Sequence, residues 1–161
     1  MSLFESFLSQ FQKAFIVDSR WKIFLKGFVN TMIITLAAAA IGILIGVVIA
    51  VFRYMASQKD PRKKRTFGSA VIGVIDRLMA AYVAVIRGTP LAIQLMIMAF
   101  IVLRGVSDGM VVAIVAFGLN SGAYVSEVIR AGIQSVDGGQ MEAGRSLGLN
   151  RVDAMRLIIL P

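Results

Sequence analysis

Neither cysteine nor histidine occurs anywhere in the 161 residues. That excludes disulfides, Cys/His metal sites and any catalytic arrangement built on imidazole. Proline occurs only three times, at Pro61, Pro90 and Pro161, so long stretches contain nothing that breaks a helix. Acidic residues number 9 against 17 Lys and Arg. In a soluble chain the resulting charge of +8 would suggest a nucleic-acid partner. Here the basic residues sit beside apolar runs, where anionic lipid and the insertion machinery read them, and no nucleic-acid interface is expected. What is abundant is apolar: 58% of residues are hydrophobic and mean hydropathy is +0.81. The composition is that of an all-α, polytopic helical membrane protein.

Residues 1–26 come before the first long apolar run. Phe4, Phe7, Leu8, Phe11 and Phe15 fall on one helical stripe, with Glu5, Ser9, Gln12 and Lys13 elsewhere. That pattern suits a helix lying in the membrane interface, on the outer side; a frayed extension is the alternative. Phe28–Phe52 is uncharged throughout, and at ~1.5 Å per residue it crosses a ~30 Å hydrocarbon layer with tilt. Within it, Gly42 and Gly46 form a GxxxG spacing that permits close helix approach. Next come Arg53, Lys59, Arg62, Lys63, Lys64 and Arg65 against a single Asp60. By the positive-inside rule this loop is cytoplasmic and the N-terminus lies outside.

Residues 66–86 are apolar at helical spacing but carry Asp76 and Arg77, which are costly at mid-bilayer. They are expected to form a helix along the cytoplasmic boundary. "RGTPLAIQL" then predicts a break at Arg87, Gly88 and Pro90. A second span is expected over 88–103 and a third over 110–129, the latter rich in small residues suited to packing on protein. The closing segment, 137–161, is then cytoplasmic. Asp137 caps a helix carrying Gln140, Gly148 ends it, and Asn150 caps the next. Two short helices with a glycine elbow result.

Three stretches carry a family resemblance. "EAGRSLGLNRVDAMRLIILP" resembles the EAA signature of bacterial ABC import permeases, with Glu142, Ala143, Gly144, Gly148 and Ile159-Leu160-Pro161 at the matching positions; Gly144 stands where Ala is usual, and Gln140 and Leu149 are expected to join them in coupling to the ATPase. "RGTPLAIQL" and "LNSGAYVSEVIRAGIQSVDGGQMEAG" are similar to the branch that takes up polar amino acids such as histidine, glutamine and arginine. The resemblance covers most of the chain from about Phe28. It implies a multi-pass permease of the bacterial cytoplasmic membrane with a five-span bundle, of which three spans are present, so the chain is expected to be the N-terminal part of a longer protein. It also implies a cytoplasmic ABC ATPase dimer as partner, gripped through the first closing helix as a coupling lever, together with a second permease subunit, identical or sister, and an extracytoplasmic amino-acid-binding protein. Lipid headgroups are the other surface on which that helix could rest. No GxxxxGK[ST] motif occurs in the sequence, so ATP and Mg are expected to bind the partner and no cofactor this chain.

Polar residues inside or near spans are candidates for the substrate path: Thr89, Gln94, Asn120, Tyr124, Glu127 and Arg130. Opposite charges suit the ammonium and carboxylate of an amino acid, although Glu127 and Arg130, three apart, could simply pair with each other. A non-transporting three-helix anchor, and a permease for methionine or another small organic solute, are the alternative functions.

Overall fold

The computed structural model describes residues 3–57 and 67–160. The basic run from Lys59 to Arg65, and Pro161, lie outside the described residues. The first helix, α1 (Leu3–Phe11), is prolonged by wider turns to Ile16. Phe7, Phe11 and Phe15 stack in succession along it, and Phe15 stacks on Phe24 with centroids 4.8 Å apart. Asp18 and Ser19 make the intervening turn with φ of 56° and 54°, a left-handed conformation that non-glycine residues seldom adopt.

Helix α2 (Trp21–Ser57) has 37 residues and contains the expected first span. Helix α5 (Gly109–Ser135), with 27 residues, contains the expected third. Their interface is the most extensive in the fold, and glycine on both helices makes it possible. A Cβ on Gly42 would overlap Ser121, and one on Gly46 would lie 2.5 Å from Val125. Reciprocally, a Cβ on Gly118 or Gly122 would lie 2.8 Å and 2.7 Å from Ile41 and Ile45. The GxxxG spacing of α2 thus meets a second one on α5, backbone close to backbone. Contact positions rise together on the two helices, so α2 and α5 run parallel.

Parallel helices require the intervening chain to return from the end of α2 to the start of α5. That return is made by α3 (Phe67–Gly88) and α4 (Leu91–Ile97), with α4 continued in wider turns to Val102. Here the structure departs from the expected boundaries. Residues 88–103 are not one helix: α3 ends at Gly88, Pro90 is extended, and the helix beyond runs only from Leu91 to Val102. At 1.5 Å per residue that piece falls well short of ~30 Å. By contrast α3, placed along the boundary by sequence, is long and apolar enough to cross. Of the two charges that argued for the boundary, Asp76 is compensated: Arg53 of α2 donates to its carboxylate at 3.4 Å. Arg53 accordingly belongs to α2 and not to the basic loop. Ile49, Val83 and Ala123 form the buried centre where α2, α3 and α5 meet, and Tyr82 donates its hydroxyl to the Leu119 carbonyl at 2.5 Å.

Candidate functional site

The polar stripe of α5 faces the break in the return crossing. Asn120, Tyr124 and Glu127 stand at i, i+4 and i+7, on one face of the helix, and α3–α4 brings a polar partner to each. Asn120 donates to Gln94 Oε1 at 3.0 Å. The Arg87 guanidinium lies over the Tyr124 ring, 5.5 Å from its centroid, and its Nη1 is 3.4 Å from Glu127 Oε1. From α5 itself, Arg130 donates through Nε to Glu127 Oε2 at 2.9 Å and through Nη2 to Oε1, while its Nη1 donates to Gln134 at 2.6 Å.

Glu127 therefore serves two arginines, and the trio carries one positive charge more than it balances. Its carboxylate side chain is 21% exposed, the two arginines 41% each. The surplus faces a cavity of about 510 Å³, bounded also by Arg53, Val83, Ala84 and Gly88. That volume lies within the ~300–1,000 Å³ usual for small-molecule sites. A neighbouring cavity towards the end of α2 shares Arg53 and Arg130 and adds Asp76, Ser126 and Gln134. The chemistry this offers is an anion held between two partly exposed cations, with the excess positive charge towards the cavity.

Sequence spacing brought out the Glu127–Arg130 pair. It did not bring Arg87 to the same carboxylate, because that contact depends on where the break lets α3 end. Arg53, Asp76 and Tyr82 were missed as site neighbours; the signal available was a charge or hydroxyl on an otherwise apolar helix face. Thr89 and Gln94 turn inward on the break: Thr89 donates to the Val85 carbonyl at 2.9 Å, and Gln94 donates to Thr89 Oγ1 at 2.8 Å.

The closing segment forms a second candidate region. Helix α6 (Gly138–Ser146) starts at Asp137, whose carboxylate accepts from Gly139 N at 2.6 Å. At its other end Gly148 has φ of 91°; its N–H bonds the Arg145 carbonyl at 3.0 Å, and Leu149 N–H bonds the Gly144 carbonyl at 3.2 Å. This double closure is the Schellman arrangement. Asn150 then caps α7 (Arg151–Ala154), which continues in wider turns to Ile159, by accepting from Val152 and Asp153 at 2.9 Å. Gln140, Glu142 and Ala143 are exposed on α6. Gly144 is buried against Ala154 and Ile158 of the following helix, so its small size serves an internal contact and not the surface offered to a partner. Met141, Met155 and Ile159 face Tyr54 and Ile133 at the base of the bundle, whereas Leu147 and Val152, 84% and 74% exposed, point away from it.

Comparison with known proteins agrees with this architecture. The family described as "Binding-protein-dependent transport system inner membrane component" matches residues 68–161. The chain belongs to this family. The arginine transport system permease protein ArtQ of Bacillus subtilis is 39% identical over 140 residues, 85% of this chain and 57% of that protein. A protein of Rickettsia bellii named for the permease of a glutamine transport system, GlnP, is 40% identical over 136 residues, 83% of this chain and 57% of its own length. A crystal structure of an amino acid ABC transporter with histidines superposes with a TM-score of 0.72 and 34% identity, covering 96% of this chain and 63% of that one. The chain thus spans a little over half the length of the curated relatives it matches.

Proposed function

We propose that this chain is the membrane permease part of an ATP-driven importer for polar amino acids, and that the Arg87–Glu127–Arg130 trio is where the substrate's charges are handled in transit. The observation that carries the reading is the surplus arginine on Glu127, at a cavity between α3 and α5. An entering α-carboxylate takes Arg87 from Glu127, which costs little because it exchanges one carboxylate for another. The substrate ammonium then takes Arg87's place at Glu127 Oε1, which Arg130 still holds from its other side, and at the Tyr124 ring face that Arg87 has left. The family resemblance and the names of the relatives support an amino acid as cargo. In the same reading α6 is the lever on which a separate ATPase acts: it is short, capped at both ends and keeps Glu142 exposed at the rim of the cavity beside Tyr54. ATP and Mg belong to that ATPase, and a binding protein delivers the substrate from outside.

The test is uptake by the complete permease, assembled with its ATPase and binding protein in liposomes. Glu127→Gln removes the charge but keeps the shape, and initial uptake at subsaturating substrate should fall at least tenfold, since a contact to a charged group is worth ~1.5–3 kcal/mol. Analogues in which the α-carboxylate is replaced by a neutral carboxamide should not be carried. Normal uptake by Glu127→Gln, or equal uptake of the amino acid and its carboxamide, would refute the site.

A further inference from the structure

Gln94 is buried, 9% exposed, and both hydrogens of its carboxamide are committed within the protein. Its Nε2 lies 2.7 Å from the Ile86 carbonyl, 3.0 Å from the Thr89 carbonyl and 2.8 Å from Thr89 Oγ1, and its Oε1 accepts from Asn120. The identity of these acceptors explains the arrangement. In an uninterrupted helix the Ile86 carbonyl would accept from the N–H of residue 90. Residue 90 is proline and has none. The Thr89 carbonyl would accept from Ile93, whose N–H is instead bonded to Pro90 at 3.0 Å. Gln94 therefore supplies, from the next helix, the donors that the break removes from the last turn of α3.

The same side chain is tied to α5. Asn120, which donates to it, stands one turn before Tyr124 and two before Glu127, the residues that Arg87 touches. We propose that Gln94 is a positioning residue of the transit site: by closing the frayed end of α3 and latching it to Asn120, it holds Arg87 against Tyr124 and Glu127. This inference rests on the reading of Arg87 given above. It also explains the residue type. The position needs donors towards α3 and an acceptor towards α5 at a single reach, which glutamine has and glutamate, leucine or methionine lacks.

The experiment is a double-mutant cycle in the complete importer, reading the substrate concentration for half-maximal uptake. Gln94→Glu is nearly isosteric, but its carboxylate would face two carbonyls and a Thr89 hydroxyl whose hydrogen is committed to Val85. It should raise the half-saturating concentration by about tenfold, the effect of one buried polar group left unpaired. In an Arg87→Gln background the same change should shift it less than about twofold, because neighbours acting through one another are not additive. A merely structural role would cost the same in both backgrounds, and that result overturns the proposal. An independent reading uses spin labels at Leu78 and Phe100, 64% and 71% exposed on either side of the break. Their distance distribution should be narrow in the parent and broadened by Gln94→Glu; an unchanged distribution overturns the splint whatever the transport result. Should Gln94→Glu fail to assemble, Gln94→Leu, which removes the same donors and acceptor, takes its place with the same expectations. Normal uptake by Arg87→Gln alone would instead refute the transit-site reading, while the labels still decide the splint.

Discussion

Glu127 has more arginine around it than its own charge can balance, and a site able to trade partners depends on that imbalance. Arg53 and Asp76, beside it, are a balanced pair with a different consequence. Their side chains are 26% and 36% exposed, so the pair itself adds little to stability. Removing one member, however, leaves the other charged on an apolar helix, at a cost of ~1–3 kcal/mol. Arg53→Ala should therefore lower the midpoint of thermal unfolding in detergent, and adding Asp76→Asn should recover most of the loss. An Arg53→Ala midpoint equal to the parent's would contradict the pairing. From sequence alone Arg53 reads as one more charge in a basic loop, because nothing local shows which carboxylate lies within reach 23 residues on. Glu127 and Arg130 were legible for the opposite reason: helical geometry alone joins residues three apart.

At the scale of elements, the legible parts were those in which periodicity and composition agree. The uncharged core of α2, the small-residue face of α5 and both caps of α6 lie where the sequence indicates. The boundary placement of 66–86 rests on Asp76 and Arg77; the structure gives Asp76 a partner in Arg53, and α3 as a whole is long and apolar enough to cross. The helix does break at Pro90, the piece after it is short, and α3 is the part of the return long and apolar enough to cross. The α2–α5 interface gives the clearest test at this scale. Gly46→Leu places a side chain where even a Cβ would lie 2.5 Å from Val125 and 3.0 Å from the Ser126 backbone nitrogen. Overpacking of this kind costs ~1–3 kcal/mol, so the assembled permease should lose thermal stability. Gly68→Ala is the control: nothing lies within 4 Å of its Cβ position, and alanine is the better helix former, so stability should hold or rise slightly. Equal behaviour of the two variants would mean that the helices do not cross there.

In the whole molecule, α5 joins the two candidate regions. It carries Asn120, Tyr124 and Glu127, runs on to Ser135, and is followed within two residues by the Asp137 cap of α6. Displacement of α6 by a partner has a short path to Glu127, through one continuous helix. Tyr54 and Ile133 line both the cavity beneath the charged site and the one against the closing segment, so the two regions also share a packed floor. The first feature follows from the order of elements along the chain; the shared floor is not visible in local sequence patterns, since it depends on how α2 and α5 dock. Glu142 is exposed at the rim of the cavity beside Tyr54 and Ile133, with Leu147 and Val152 exposed on the far side of the segment; in the proposed reading these are the charged and apolar contacts that an ATPase groove grips. The most direct test of the account measures amino-acid uptake and substrate-stimulated ATP hydrolysis together in liposomes containing the complete importer with Glu142→Lys in the permease. Normal assembly with both activities reduced at least tenfold is predicted, because reversing the charge sets it against the basic group that Glu142 is proposed to meet. Uptake and hydrolysis at parental levels would contradict the account.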